Sequence, residues 1–166
     1  VDLGGGPGSY SGEILKYDKS ANAILIDRPA SLKVAKTILK GSKVIKRFDF
    51  VAGDLFKVEF GYEVDTVLYS NILHIYNESQ NSKMFKRIYK SLKLGGRLIL
   101  VDLFLKNNRA EPFDAAMFSL TMLLFTATGR TYTFKETEAL LKKNGFGKFS
   151  RCELGKGSSV IEAVKI

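Results

Sequence analysis

The chain begins with a glycine-rich stretch, VDLGGGPGSYSG, whose residue types suit the binding of a cofactor. Glycine lets a main chain approach a ligand closely, and loops of this kind usually follow a buried strand. The dinucleotide spacing GxGxxG fails here, because it would require glycine at Ser9 or at Ser11. The stretch instead places an acid before alternating glycines, at Asp2, Gly4, Gly6 and Gly8.

Further polar residues follow apolar runs and are candidates for chemistry. Asp27 ends the run AILID, about 20 positions beyond the loop, where a carboxylate commonly holds the hydroxyl pair of a ribose. As a lone carboxylate it could equally cap a helix. Asp54 and His74 follow later apolar runs, and Asp102 lies within another. Imidazole changes protonation near neutral pH and suits proton transfer, although a lone histidine is more often structural.

The elements that would position these residues alternate between short apolar runs and longer amphipathic ones. Strands are predicted over 23–27, 48–54, 65–71 and 97–105, and helices over 30–41 and 82–96. Gly95 and Gly96 are predicted to close the second helix. This alternation indicates a parallel sheet with crossover helices, which binds ligands at the carboxyl ends of its strands.

The last third of the chain follows another pattern. Helices are predicted over 113–129 and 133–146, and strands over 148–154 and 158–166. The short connection Gly155–Lys156–Gly157 predicts an antiparallel hairpin at the edge of the sheet. The predicted fold class is therefore α/β: a Rossmann-like, doubly wound, mostly parallel sheet with an antiparallel C-terminal hairpin. Its first strand is expected to be truncated, since only Val1 precedes Asp2.

Composition narrows the class of protein. A chain of 166 residues with 45% hydrophobic content is expected to form one domain with a real core. It has no apolar run of the roughly 20 residues that span a bilayer, so a soluble cytoplasmic protein is expected. The single cysteine, Cys152, excludes an internal disulfide framework, and the single histidine excludes a His-rich metal site. The net charge of +9 comes mainly from lysines at helical spacing, which favours solvated helix faces over a nucleic-acid surface.

The pattern DxGxGxG at residues 2–8 resembles that of class I methyltransferases that depend on S-adenosylmethionine (SAM). SAM carries a charged amino-acid group and a sulfonium, which favour nearby carboxylate and carbonyl oxygens, whereas a dinucleotide carries phosphates, which favour free N–H groups. Residues 70–102, SNILHIYNESQNSKMFKRIYKSLKLGGRLILVD, resemble small-molecule O-methyltransferases related to the caffeic acid, isoflavone and hydroxyneurosporene enzymes. GRTYTFKETEALLKKNGF and IDRP resemble further blocks of that family, so the resemblance covers essentially the whole chain.

The resemblance implies that the protein transfers a methyl group from SAM to a hydroxyl of a small, aromatic or polyketide-like acceptor, without a metal. In this reading His74 is the general base and Asp102 orients its ring. The residues assigned to SAM are Asp2, Gly4, Gly6, Gly8, Asp27, Arg28, Asp54, Leu55 and Ser70. The chain departs from the plant enzymes at Thr131, on or near which their second acid falls, and at Ser70, where they have lysine.

The helix predicted over 113–129 carries apolar residues on more than one face. A stripe of Phe113, Met117, Leu120 and Leu124 is predicted to face the core. In the resembling family this helix lines the acceptor pocket, and the resemblance assigns Phe118 and Met122 to that role.

The family also has an N-terminal, winged-helix-like domain that forms the homodimer and contributes to the acceptor pocket. The resemblance therefore implies that residues 1–166 are the SAM-binding catalytic domain of a longer protein. One alternative is an RNA or protein methyltransferase, but SNILH stands where such enzymes have an NPPY-type block. The other alternative is a SAM-binding remnant without activity.

Overall fold

The computed structural model describes residues 1–155 and 157–166. The chain divides into two compact units, Val1–Phe60 and Gly61–Ile166, which are described in turn.

The first unit contains parallel strands and two helices. In chain order these are β1 (Asp2–Leu3), α1 (Ser9–Tyr17), β2 (Ala23–Asp27), α2 (Pro29–Leu39) and β3 (Phe48–Ala52). Strand β2 lies between the other two, with Asp2 opposite Leu25 and Ala23 opposite Phe48, and both pairings are parallel. The carboxyl ends of β1, β2 and β3 therefore lie at one edge, and the loops after them carry the candidate residues of this unit.

A cluster of apolar side chains holds these elements together. It comprises Leu15, Ala23, Leu25, Leu32, Ala35, Leu39, Val44 and Phe48. Helix α2 begins at Pro29, whose fixed φ and missing N–H suit a first helical position.

The second unit is a mixed sheet with three helices. Its elements are β4 (Val64–Ser70), α3 (Glu78–Ser91), β5 (Leu92–Leu105), α4 (Phe113–Phe125), β6 (Tyr132–Thr133), α5 (Phe134–Lys143), β7 (Phe146–Gly155) and β8 (Ser158–Lys165). Strands β4 and β5 are parallel, and β6 pairs in parallel with the end of β5. Strand β8 is antiparallel to both β5 and β7. The prediction of a mostly parallel α/β fold with an antiparallel C-terminal hairpin is confirmed; Lys156, in the predicted turn, lies outside the described residues.

Local signals explain where α3 and α5 begin. Each helix starts with a capping box, in which Asn77 pairs with Gln80 and Thr133 pairs with Glu136. These reciprocal bonds satisfy N–H groups that the first helical turn leaves unpaired.

The end of α3 differs from its prediction. The helix ends at Ser91, and Leu92 is already extended and pairs with Val64 on β4. Gly95 and Gly96 therefore lie within β5, next to a register shift between Val64 and Thr66, and do not close the helix. Strand pairing explains the difference, because Leu92 is extended and paired with β4 and therefore cannot also belong to the helix.

The prediction that one stripe of apolar residues on α4 faces the core is wrong. Phe113, Met117, Leu120 and Leu124 are 73%, 46%, 53% and 76% exposed. Helix α4 is apolar around its circumference, so periodicity alone does not distinguish its inner face, and Ala115 and Met122 are the buried positions. Within the described residues no helix has the length and apolar character needed to span a membrane.

Candidate functional site

The loop between β1 and α1 takes a conformation that only glycine adopts easily. Gly4, Gly6 and Gly8 have φ angles of 66°, 54° and 74°, in the left-handed region. A side chain at any of them would be strained, which explains the alternating pattern in the sequence. A Cβ atom built at Gly6 would meet nothing within 4 Å, so the main chain there borders open space.

Gly5 is a residue that the sequence pattern missed, because it occupies a variable position of DxGxGxG. A Cβ atom on Gly5 would overlap the Asp2 carboxyl group and the Leu25 side chain, which are both buried. The loop therefore packs directly over Asp2. This close approach depends on tertiary structure and has no signal in residue spacing.

Asp2 is 2% exposed, and its carboxyl oxygens differ in their surroundings. Oδ2 accepts a hydrogen bond of 2.6 Å from the Ser11 hydroxyl on α1. Oδ1 is buried and has no hydrogen-bond partner among the described residues. Burial raises the pKa of Asp2 above its ordinary value, and the Ser11 hydrogen bond partly opposes this effect. A buried acceptor without a donor is costly, so a cationic or N–H group of a ligand would be stabilised there.

Asp27 ends β2, and the main chain fixes its carboxylate. Oδ2 accepts from the Gly6 N–H at 2.8 Å, and Oδ1 accepts from the Arg28 N–H at 2.6 Å. The alternative that Asp27 caps α2 is wrong, because Arg28 is the N-cap residue and no side chain caps that helix. The structure thus brings Asp27 to the glycine loop, and each carboxylate oxygen keeps a lone pair free to accept a ligand hydroxyl. Arg28 itself is exposed.

Strand β3 ends at Ala52 and not at Asp54 as predicted, so Asp54 and Leu55 lie in the segment just beyond it, whereas Ser70 ends β4. Asp54 is exposed and its Oδ1 accepts from the Phe56 N–H at 2.9 Å, whereas Leu55 is 9% exposed. Ser70 is the last residue of β4 and is buried, and its hydroxyl accepts from the Asn71 amide at 3.1 Å. The roles of these residues toward a cofactor stay predictions.

In the second unit, His74 and Asp102 form a buried pair. The Nδ1 atom of His74 lies 2.8 Å and 3.0 Å from the two carboxylate oxygens of Asp102. Asp102 is completely buried on β5, and the whole His74 residue is 8% exposed. A carboxylate at Nδ1 favours the tautomer with the proton on that nitrogen, which leaves Nε2 as a hydrogen-bond acceptor. The pair has the geometry of a base and its orienting acid.

Residues from two other parts of the chain contact the short 3-10 turn Leu73–Ile75, called here the His74 turn. The Arg130 N–H donates to the His74 carbonyl at 2.9 Å, and a Cβ atom on Gly129 would overlap that carbonyl oxygen. Asn81 on α3 donates to the carbonyls of Leu73 and Tyr76, each at 2.9 Å. Gly129 and Asn81 are not predicted from the sequence, because their contacts arise only in the folded chain.

The residues assigned to the acceptor differ in what they contact. The ring of Phe118 meets the His74 ring edge-on, with centroids 4.8 Å apart. Met122 is 9% exposed, and its carbonyl accepts from the Thr126 hydroxyl at 2.7 Å. Thr131 is 1% exposed, and its hydroxyl has no hydrogen-bond partner among the described residues. The structure therefore brings Phe118 to the histidine, and the substrate roles of Phe118 and Met122 stay predictions.

Comparisons with known proteins indicate the family of the chain. A profile of the O-methyltransferase domain family matches residues 1–147. The 3-hydroxy-5-methyl-1-naphthoate 3-O-methyltransferase of Streptomyces sahachiroi is 31% identical over 145 residues, which are 87% of this chain and 42% of that enzyme.

Solved structures of O-methyltransferases also match the chain. An O-methyltransferase family 2 protein of Planctomyces limnophilus, in complex with apigenin, matches with a TM-score of 0.93 and 27% identity, covering 99% of this chain and 50% of that one. Human N-acetylserotonin methyltransferase, in complex with SAM, matches with a TM-score of 0.88 and 29% identity, covering 99% and 46%. The chain thus spans about half the length, or less, of these relatives. With the family profile matched over residues 1–147, the chain belongs to the O-methyltransferase domain family.

Proposed function

We propose that the protein transfers a methyl group from SAM to a hydroxyl of a small aromatic acceptor. The observation that carries this proposal is the buried pair of His74 and Asp102, 2.8 Å apart, which suits removal of a proton from a phenol. The names of relatives support the acceptor class, because they include a hydroxynaphthoate and an N-acetylserotonin methyltransferase and a complex with apigenin.

The residues of the first unit fit SAM. The Oδ1 atom of Asp2, which has no partner in the part of the chain that the structure describes, would accept from the ammonium group, and Asp27 would accept from the ribose hydroxyls. Open space beside Gly6 leaves room for a ligand against the main chain. Asp54 and Leu55 would hold the adenine, as the resemblance implies. When bound, SAM supplies the electrophilic methyl group.

The residues of the second unit would handle the acceptor and its proton. Asp102 keeps the proton of neutral His74 on Nδ1, so Nε2 accepts the hydroxyl proton as the acceptor oxygen is methylated. The imidazolium that forms would be stabilised by the buried carboxylate. Phe118, whose ring contacts the His74 ring edge to face, would contact the acceptor ring.

An acceptor panel tests the proposal. The chain would be incubated with SAM labelled in its methyl group and with 3-hydroxy-5-methyl-1-naphthoate, N-acetylserotonin and apigenin, and products would be identified by mass spectrometry and NMR. The expected result is a labelled methyl ether on at least one phenol. Label recovered on RNA or on protein, with none on these phenols, would contradict the proposal and favour the alternative classes.

The pH dependence of SAM binding tests the role of Asp2. Below its raised pKa, Asp2 is neutral and must lose its proton to pair with an ammonium group; above it, the carboxylate is already ionised. We therefore expect SAM affinity to rise with pH through the acidic range above 3.8 and then to level off. Calorimetry across that range measures the slope of SAM affinity against pH. Asp2→Asn should bind SAM more weakly, and its affinity should not change with pH in this range. Equal slopes in the two proteins would argue against this contact.

We also propose that this chain self-associates through the exposed apolar residues of α4, a contact separate from the N-terminal domain that forms the homodimer in the resembling family. Phe113, Leu123, Leu124 and Phe125 are each at least 72% exposed, and large apolar side chains left exposed on one helix are candidates for an interface. Sedimentation velocity should show association of the wild-type chain and its loss in Leu124→Glu. Ile38→Glu is the matched control, since Ile38 is 58% exposed on α2. A wild-type chain that stays monomeric at high concentration would contradict the proposal.

A further inference from the structure

Asn81 lies at the centre of a buried polar network beneath the His74 turn. It is completely buried on α3, and its amide nitrogen donates to the carbonyls of Leu73 and Tyr76 at 2.9 Å each. These carbonyls stand on the two sides of His74 in the chain. One side chain therefore holds the turn from both ends.

The turn depends on such support because it has little stability of its own. It spans three residues, and its internal hydrogen bonds are Ile75 N–H to Ile72 at 3.0 Å and Tyr76 N–H to Leu73 at 3.4 Å. Short 3-10 segments have poor hydrogen-bond geometry, so outside contacts set their position.

Tyr69 fixes the orientation of the Asn81 amide. Its hydroxyl, on β4, donates to Asn81 Oδ1 at 3.1 Å. Burial raises the pKa of Tyr69 well above its ordinary value, so this hydroxyl stays protonated and remains a donor. The opposite orientation of the amide would place its oxygen against two carbonyl oxygens, so one arrangement alone satisfies the network.

Tyr132 adds a second attachment from the strand next to Asp102. Its hydroxyl donates to the Tyr76 carbonyl at 2.7 Å and lies 3.2 Å from the Asn81 amide nitrogen. Tyr132 pairs with Phe104 on β5, two residues beyond Asp102. The network therefore connects the turn that carries the histidine with the strand that carries its carboxylate partner.

We propose that Asn81 is a positioning residue for methyl transfer, which acts with Tyr132 by holding the His74 turn so that Nδ1 meets Asp102 and Nε2 is presented in one orientation. The inference rests on the proposed role of His74 as the base. Asn81 acts through the main chain of the turn. A displacement of about 1 Å at a reacting group can cost about 100-fold in rate, so loss of this support should reduce turnover strongly.

The test compares Asn81→Leu with Asn144→Leu. Asn144 is the matched control, because it is 7% exposed in the same unit and its amide donates to the Leu140 carbonyl at 2.7 Å, without contacting the turn. His74 is the single histidine, so one imidazole signal reports its tautomer without ambiguity in NMR. Turnover would be measured with the fastest phenol of the panel, SAM affinity by calorimetry, and stability by thermal unfolding.

Wild type should show one tautomer, with an Nδ1–H protected from exchange by Asp102. Asn81→Leu should lose this protected signal and about 10- to 100-fold in turnover, with SAM affinity unchanged. Asn144→Leu should keep the signal and the turnover even where its unfolding temperature falls. If both variants keep the signal and turnover, the role of Asn81 is structural only and the inference is wrong.

A second pair removes single hydroxyl groups and keeps the rings, in case Asn81→Leu does not fold. Tyr132→Phe should weaken the protected signal and lower turnover, whereas Tyr89→Phe, whose hydroxyl donates to the Ile166 carbonyl, should do neither. Wild-type behaviour of Tyr132→Phe would overturn the inference. The NMR signal does not depend on catalysis. A normal turnover of His74→Ala would therefore show that His74 is not the base, whereas the signal alone would still show whether Asn81 positions the His74 turn.

Discussion

Replacing His74 by alanine is expected to lower turnover by about 10²- to 10⁴-fold, the usual contribution of a positioned general base. The expectation follows from the proposed role of His74, because Asp102 lies 2.8 Å from Nδ1 and Nε2 would take the acceptor proton. The measurement is turnover at saturating SAM with the fastest phenol of the panel.

SAM affinity is the internal control for this variant, since the residues assigned to the cofactor lie mainly in the first unit. Asp102→Asn should also lower turnover, because a carboxamide does not stabilise an imidazolium as a buried carboxylate does. Full turnover of His74→Ala would show that His74 is not the general base, and the residues assigned to SAM would be unaffected by that result.

Replacing Gly5 by alanine is expected to weaken SAM binding by about tenfold or more. The new methyl group would overlap the Asp2 carboxyl group and Leu25, and neither can move freely, because Asp2 is bonded to Ser11 and Leu25 is completely buried. Overpacking of this kind costs about 1–3 kcal/mol. A distortion of about 1.4 kcal/mol in the bound loop would reduce affinity tenfold.

Gly12→Ala is the matched control for Gly5→Ala. Gly12 lies in α1, and a Cβ atom there would meet Leu39 at 3.5 Å, an ordinary contact. Alanine in place of a helical glycine should stabilise the chain by roughly 0.5–1 kcal/mol and leave SAM binding intact. Calorimetry and thermal unfolding measure both variants. Wild-type SAM affinity in Gly5→Ala would show that the loop does not need its close packing over Asp2.

Local patterns predicted much of the fold and of the first unit. The alternation of strand and helix was sufficient to predict the parallel strands. The acid followed by alternating glycines predicted a loop whose φ angles favour glycine at Gly4, Gly6 and Gly8. These features depend on neighbours in sequence, which explains why residue spacing revealed them.

Other parts of the site could not be predicted, because they depend on which surfaces meet in the folded chain. Helix α4 is apolar on several sides, and periodicity selected a stripe that is exposed. Asn81 looks like an ordinary polar helical residue in the sequence, yet it is completely buried and bonded to both ends of the His74 turn. Gly5 and Gly129 are required by close approach to Asp2 and to the His74 carbonyl, and neither contact leaves a spacing signal.

The proposed function depends most on the loop of residues 4–8, which with Asp2 and Asp27 would bind a sulfonium amino acid and not a dinucleotide. Calorimetric titration of the chain with SAM and, separately, with NAD tests this claim directly. We expect saturable binding of SAM that weakens in Asp2→Asn, and no saturable binding of NAD. Saturation by NAD without binding of SAM would contradict the proposed function.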